Sequence, residues 1–205
     1  MPFVRRGATG EADGTAAAEA APQLTGLTNP DPEVRWATAR RIGGIAAAVP
    51  ALATALEAEQ NLRVREALMT ALMRVGDGAS VRALLPYLRA QDAALRSSAI
   101  ETLQALPDAV SPFINTLLAD ADPDVRILAT ELVRNIPADR ATRILSDLLE
   151  QELQPNVCAA AVDVLAEVGT RDALPALRAC AERFRDTPFL PFAIATTIGR
   201  IASSG

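Results

Sequence analysis

The chain reads as an all-α solenoid of about five helix pairs with a half-repeat at each end. Three observations predict this class. A short phrase recurs every 30 to 33 residues, an apolar pattern of helical spacing follows each copy, and no segment sustains two-residue alternation. The phrase stands at Asp31, Val34 and Arg35, and again at Asp122, Val125 and Arg126. Between them lie Asn61, Val64 and Arg65, then Asp92, Leu95 and Arg96, with degenerate copies at Val157 and Leu190.

Each copy opens a first helix. Three residues after the six anchors come Ala37, Ala67, Ser98, Leu128, Ala160 and Ala193. Eight after come Ile42, Leu72, Leu103, Val133, Leu165 and Ile198, and eleven after come Ile45, Val75, Leu106, Ile136, Val168 and Ile201. Offsets of 0, 3 or 4, 8 and 11 trace one helical face, with small residues at the third position to let a neighbour approach. Gly43, Gly76, Pro107, Pro137 and Gly169 are the expected stops. A second helix follows in the first five copies, aligned at Pro50, Arg82, Pro112, Arg143 and Pro175, because proline at a first helical position loses no hydrogen bond. Its buried stripe is Leu52/Leu56, Leu84/Leu88, Ile114/Leu118 and Leu145/Leu149, continued weakly by Leu177 and Ala181. Pro22, Leu24 and Leu27 resemble a truncated second helix. The expected organisation is a disordered leader over 1–20, the solenoid over 21–201 and a flexible tail over 202–205. Phe3, Val4, Arg5 and Arg6 in the leader form an alternative docking tag.

Composition removes whole classes of chemistry. The 205 residues include no histidine and no lysine, so all 20 basic residues are arginine. No histidine-ligated metal, Ser-His or Cys-His nucleophile, Schiff-base lysine or P-loop lysine is available. No catalytic residue, metal ligand or cofactor is expected. A net charge of −5 argues against a nucleic-acid partner, and no run reaches the length of a membrane span. Acidic residues interrupt the only stretch resembling a secretory signal. Together with two cysteines, too few for a disulfide framework, this predicts a cytoplasmic protein. The lysine-free, arginine- and alanine-heavy vocabulary points to a GC-rich bacterial genome.

Four groups of residues stand out. Arg35, Arg65, Arg96 and Arg126 each follow Asp31, Asn61, Asp92 or Asp122 by four residues. That spacing places the acid or amide as an N-cap within reach of the guanidinium one turn on, predicting a structural Asp/Arg ladder between repeats and not a phosphate ladder. The second helices turn outward Ala53 and Thr54, Leu85 and Pro86 with Tyr87, Asn115 and Thr116, Ser146 and Asp147, and Arg178. Stacked, these make a stripe with an apolar centre, suited to a peptide or protein helix. Pro86, inside its helix, should kink it. Phe189 and Phe192, with Leu190, Ile194, Ile198 and Ile201, make the last helix apolar almost all round. They are expected to pack back on the fifth pair or to form a subunit contact, giving a monomer or a weak homodimer. Cys158 and Cys180 flank the turn at Gly169, where an antiparallel pair would bring them near each other; inert buried thiols are the expected reading, with a disulfide, a thiol switch or a covalent chromophore attachment as the alternatives. Trp36 is expected to cover the exposed first layer, with an interface anchor as the alternative.

The aspartate-to-arginine phrase at the head of a helix pair of about 31 residues resembles the short HEAT repeat of the phycobilisome-lyase type, over residues 22 to 201. The fifth and sixth copies depart from it, with Cys158 and Pro191 for the arginine and Gln154 and Thr187 for the acid. The resemblance implies a right-handed α-α superhelix, first helices convex and second helices concave. It implies a non-enzymatic scaffold or adaptor that holds a partner protein or peptide on the concave face, in bacterial signalling or assembly. A bilin lyase or isomerase component is the alternative.

Overall fold

A computed structural model describes residues 24–203, all helices, turns and loops with no strand among them. The expected leader lies outside the described residues. The chain divides into two compact units at Leu84/Leu85. The first unit holds a 3-10 turn at Thr25–Thr28, then α1 (Pro32–Ile42), α2 (Val49–Ala58), α3 (Leu62–Val75) and α4 (Gly78–Leu84). The second opens on a 3-10 segment, Leu85–Arg89, followed by α5 (Ala93–Gln104), α6 (Pro107–Val110), a 3-10 turn at Ser111–Phe113 and α7 (Ile114–Leu118). It continues with α8 (Pro123–Val133), α9 (Ala138–Gln151), α10 (Pro155–Val168), α11 (Leu174–Arg183) and α12 (Leu190–Ser203).

Within each unit like stacks on like. First helices pair as α1 on α3, then α5 on α8, α8 on α10 and α10 on α12; second helices pair as α2 on α4 and α9 on α11. A helix pair cannot cover its own apolar stripe, so the neighbour completes the core. Ile42, Leu72, Leu103, Val133 and Leu165, eight residues after their anchors, are fully buried. Each such side chain contributes roughly 1.5–3 kcal/mol by leaving water. The close-approach position is the fourth after the anchor: Leu68, Ala99, Ala129 and Ala161 have no exposed surface, whereas Ala37 at the third is exposed. Gly26 shows how tight this packing is, since a Cβ there would lie 2.1 Å from Thr38 Oγ1.

The first helices start and stop on local chemistry. Asp31, Asn61, Asp92 and Asp122 each cap their helix by accepting from a backbone N–H two or three residues on. At the end of α3, Gly76 takes φ 66, a left-handed conformation that closes the helix without a Cβ penalty. Two second helices begin earlier than the alignment at Arg82 and Arg143. Asp77 accepts from Ser80 N at 2.8 Å and starts α4 at Gly78, and α9 starts directly after Pro137. Pro86 does not sit inside a kinked α-helix: lacking an N–H to donate, it lies in the 3-10 segment Leu85–Arg89, and the α-helix has already ended at Leu84.

At the carboxy-terminal end the packing-back of Phe189 and Phe192 does not occur. They are 87% and 76% exposed. Leu190 N donates to Pro188 O at 2.9 Å, a turn that holds Phe189 at φ 69 and directs it away from the core. A left-handed phenylalanine costs about 1–2 kcal/mol relative to ordinary backbone. Phe189→Gly is therefore expected to raise the unfolding free energy by about 1 kcal/mol in urea titration. A loss of stability would show that the ring makes stabilising contacts.

Candidate functional site

The repeated arginines are built into the fold, with partners other than those the spacing predicted. Asp31, Asn61, Asp92 and Asp122 cap their helices, but the guanidiniums turn the other way, onto the loop preceding their own helix. Arg35 donates to Asn29 O at 2.7 Å, Arg65 to Glu59 O at 2.8 Å, Arg96 to Ala90 O and Arg126 to Asp120 O at 2.8 Å. The acceptor is each time the carbonyl six residues upstream, left without a helical donor where the second helix has ended. The expected Asp/Arg ladder is thus a series of arginine-to-carbonyl seals.

In two copies the seal extends to the next repeat. Arg35 reaches Glu59 with Nε and Nη2 at 2.7 and 2.9 Å, and Arg126 reaches Glu152 at 2.7 and 3.0 Å. Glu59 and Glu152 are buried, and each accepts two further backbone N–H groups, from Gln60 and Asn61 or from Leu153 and Gln154. Planar bidentate pairing of this kind is what arginine does and lysine does not. The Arg35 hydrogen bond, against the opposing effect of burial and with help from the two N–H groups, holds the Glu59 carboxyl at about 2. Burial works against ionisation of Glu152, yet Arg126 and the backbone donors keep it below the usual range. Sequence reasoning missed both glutamates. The available signal was their shared place five residues before an anchor.

The Glu59 shift has a defined sign. Its carboxyl is held below the ordinary 4.5, so the clamp's contribution is present above that value and is lost as pH falls towards 2. The linked stability is on the order of 3 kcal/mol. In urea unfolding at pH 7 and at pH 3, Glu59→Gln is expected to be less stable at pH 7 and to lose less on acidification than wild type. Parallel acid limbs would contradict the assignment.

Repeat five, where Cys158 replaces the arginine, solves the same problem differently. Cys158 Sγ donates to Glu152 O at 3.7 Å, and a guanidinium arrives from another helix. Arg183 on α11 donates to Glu152 O at 3.2 Å, to Glu150 O at 3.3 Å and to Leu149 O. Cys158 and Cys180 are free, buried and within hydrogen-bonding reach of each other; that bond and burial push the Cys158 thiol well above its usual value. A second cluster spans α8 and α10, where Arg134 pairs with Glu131, Asp163 and Glu167. The Trp36 ring packs against two guanidiniums, 4.7 Å from Arg40 and 4.1 Å from Arg63 of the next first helix. That arrangement ties α1 to α3.

Each clamp floors an open groove between consecutive second-helix positions. The groove of the first unit, about 690 Å³, is lined by Leu24, Leu27, Asn29, Pro50, Thr54 and Ala58, with Arg35 and Glu59 beneath. That of the second unit, about 660 Å³, is lined by Asn115, Leu118, Asp120, Ile144, Asp147 and Leu148, with Arg126 and Glu152 beneath. Position for position they correspond: Leu27 to Leu118, Asn29 to Asp120, Thr54 to Asp147, Glu59 to Glu152. Of the outward residues read from the sequence, Thr54, Asn115 and Asp147 line these grooves, and Ser146 joins Asp147 in an adjoining hollow. Ala53, Leu85, Pro86, Tyr87, Thr116 and Arg178 line none of the three; of these, Ala53, Leu85 and Tyr87 are half-buried.

The model of HEAT repeats matches residues 16–104 and 110–189, most of the chain. The protein belongs to the HEAT-repeat family. No curated protein matches this HEAT-repeat chain significantly. Among solved structures, it is similar to a designed armadillo repeat protein in complex with the peptide (KR)4, at 18% identity, covering 88% of this chain and 98% of that one with a TM-score of 0.45. It is also similar to the complex of CpcE and CpcF of phycocyanin lyase from Nostoc sp. PCC7120, at 17% identity, covering 87% and 93% with a TM-score of 0.39. No described helix of the HEAT-repeat chain is long and apolar enough to cross a membrane.

Proposed function

We propose that this HEAT-repeat protein is a non-enzymatic scaffold that grips a segment of a partner protein in its second-helix grooves. One observation carries the reading: the same open groove, over the same arginine–glutamate clamp, recurs at equivalent positions in both units. The clamp ties up the arginine and glutamate on the groove floor, so what remains for a partner is the groove wall, a surface of peptide dimensions. We further read the chain as a cytoplasmic bacterial adaptor, on its lysine-free composition and free thiols. The exposed Phe189 and Phe192 pair is a secondary self-association edge, checked by the concentration dependence of mass in solution.

Affinity capture from native cell extract tests the groove assignment. Thr54→Glu in the first groove and Leu153→Glu at the lip of the second are exposed positions that leave the core intact. Each variant, folded by circular dichroism, is expected to lose proteins that the wild type retains. An unchanged captured set with both variants would remove the grooves from consideration.

A further inference from the structure

The two corresponding grooves differ in a way that specifies what each accepts. Where the first presents Leu24, Asn29 and Thr54, the second presents Asn115, Asp120 and Asp147. The second groove is the more polar of the two, and sets larger apolar side chains beside these acids, with Ile144 and Leu148 in place of Ala51 and Ala55. At its lip Leu153 is 75% exposed, one of the few large apolar side chains left in solvent. Asp147 is shared with an adjoining hollow of about 440 Å³ that contributes Asp139 and Asp172. Arg126 on the groove floor is already spent on Glu152, and Asp120 on Arg89. Among the described residues, no ion pair engages Asp139, Asp147 or Asp172, and Arg143 is the single cation lining their hollow.

We infer that the second-unit groove takes a cationic, amphipathic segment of a partner protein. An apolar side chain of that segment covers Leu153 and Leu148, and arginine or lysine side chains reach Asp147 and its neighbour Asp172. This rests on the scaffold reading and names its partner's chemistry. The apolar wall supplies affinity by leaving water, while the carboxylate excess steers encounter and excludes acidic segments. The first groove, without these acids, does not share the preference.

A fluorescein-labelled peptide combining arginines and leucines, compared with its counterpart carrying glutamates for arginines, tests this by fluorescence anisotropy on the full chain. The arginine peptide is expected to bind, with affinity falling as salt rises, and the glutamate peptide to bind at least about tenfold more weakly. Asp147→Arg is expected to weaken the arginine peptide by about tenfold and Leu153→Ser by several-fold. Glu57→Arg, an exposed charge-matched control on α2, is expected to change little beyond the general loss of negative charge. No binding of the arginine peptide, equal binding of both peptides, or equal effects of Asp147→Arg and Glu57→Arg would each overturn the inference. If the peptide fails while Leu153→Glu still abolishes capture from extract, the scaffold reading stands and only the partner's charge is wrong. If capture is indifferent to the groove variants, the scaffold reading itself falls.

Discussion

Glu152→Ala is expected to lower the unfolding free energy by about 3 kcal/mol in urea titration, with the chain still folded at low denaturant. The side chain is 6% exposed and its partner Arg126 is 13% exposed, so neither charge has water to fall back on. Removing the carboxylate strips Arg126 of both its bonds to Glu152, at 2.7 and 3.0 Å, leaving it only the carbonyls of Asp120 and Ala121, and leaves the N–H groups of Leu153 and Gln154 without their acceptor. Breaking a buried pair from one side costs far more than the pair contributes net, because an uncompensated guanidinium stays behind. Arg126→Leu combined with Glu152→Leu is accordingly expected to be more stable than Glu152→Ala alone. If Glu152→Ala costs less than about 0.5 kcal/mol, the clamp is a solvated surface pair and the account of the groove floor is wrong.

Cys158→Arg, which restores the residue found in the first four copies, is expected to be at least as damaging, by about 3 kcal/mol or more. The sequence pattern alone argues for the opposite sign. In the structure Cys158 has no exposed surface, and Arg183 already serves the carbonyl at Glu152 that an arginine at 158 would seek. A guanidinium at the fully buried position 158 would meet a carbonyl that Arg183 already reaches from the exposed side, with no carboxylate to spare. Arg183→Ala alone should cost about 2 kcal/mol, since the carbonyls of Leu149 and Glu150 lose this donor and that of Glu152 keeps only the Cys158 thiol. The double variant Cys158→Arg/Arg183→Ala is expected to be more stable than Cys158→Arg by itself, as one guanidinium replaces the other. Unfolding free energies that simply add, to within about 0.5 kcal/mol, would show that the two sites do not substitute for each other.

These two cases show where the sequence was legible. The caps at Asp31, Asn61, Asp92 and Asp122 were readable because the donor lies within three residues. The apolar face at Ile42, Leu72, Leu103, Val133 and Leu165 was readable because helical spacing repeats. The arginines' partners were not, since Glu59 and Glu152 lie 24 and 26 residues downstream, and four-residue spacing offered a nearer acid that capping had already taken. Arg183 was hidden for the same reason, standing 31 residues from the carbonyl it seals. The early starts of α4 and α9 came from turns closed by Asp77 and Pro137, where the alignment had relied on prolines in other copies. The grooves were half legible. Thr54, Asn115 and Asp147 follow from helix facing, but their depth depends on how far the next second helix stands away. For Phe189 only the packing-back alternative fails, because a strained turn after Pro188, invisible to periodicity, aims it at solvent.

Hydrogen–deuterium exchange of the chain with and without a protein captured from extract tests most directly that the grooves do the gripping. Slowed exchange is expected in segments that border them, residues 115–120 and 144–154 in the second unit, or 24–30 and 50–59 in the first, with the first helices unaffected. Protection confined to the first helices, or to residues 189–201 at the carboxy-terminal end, would contradict it.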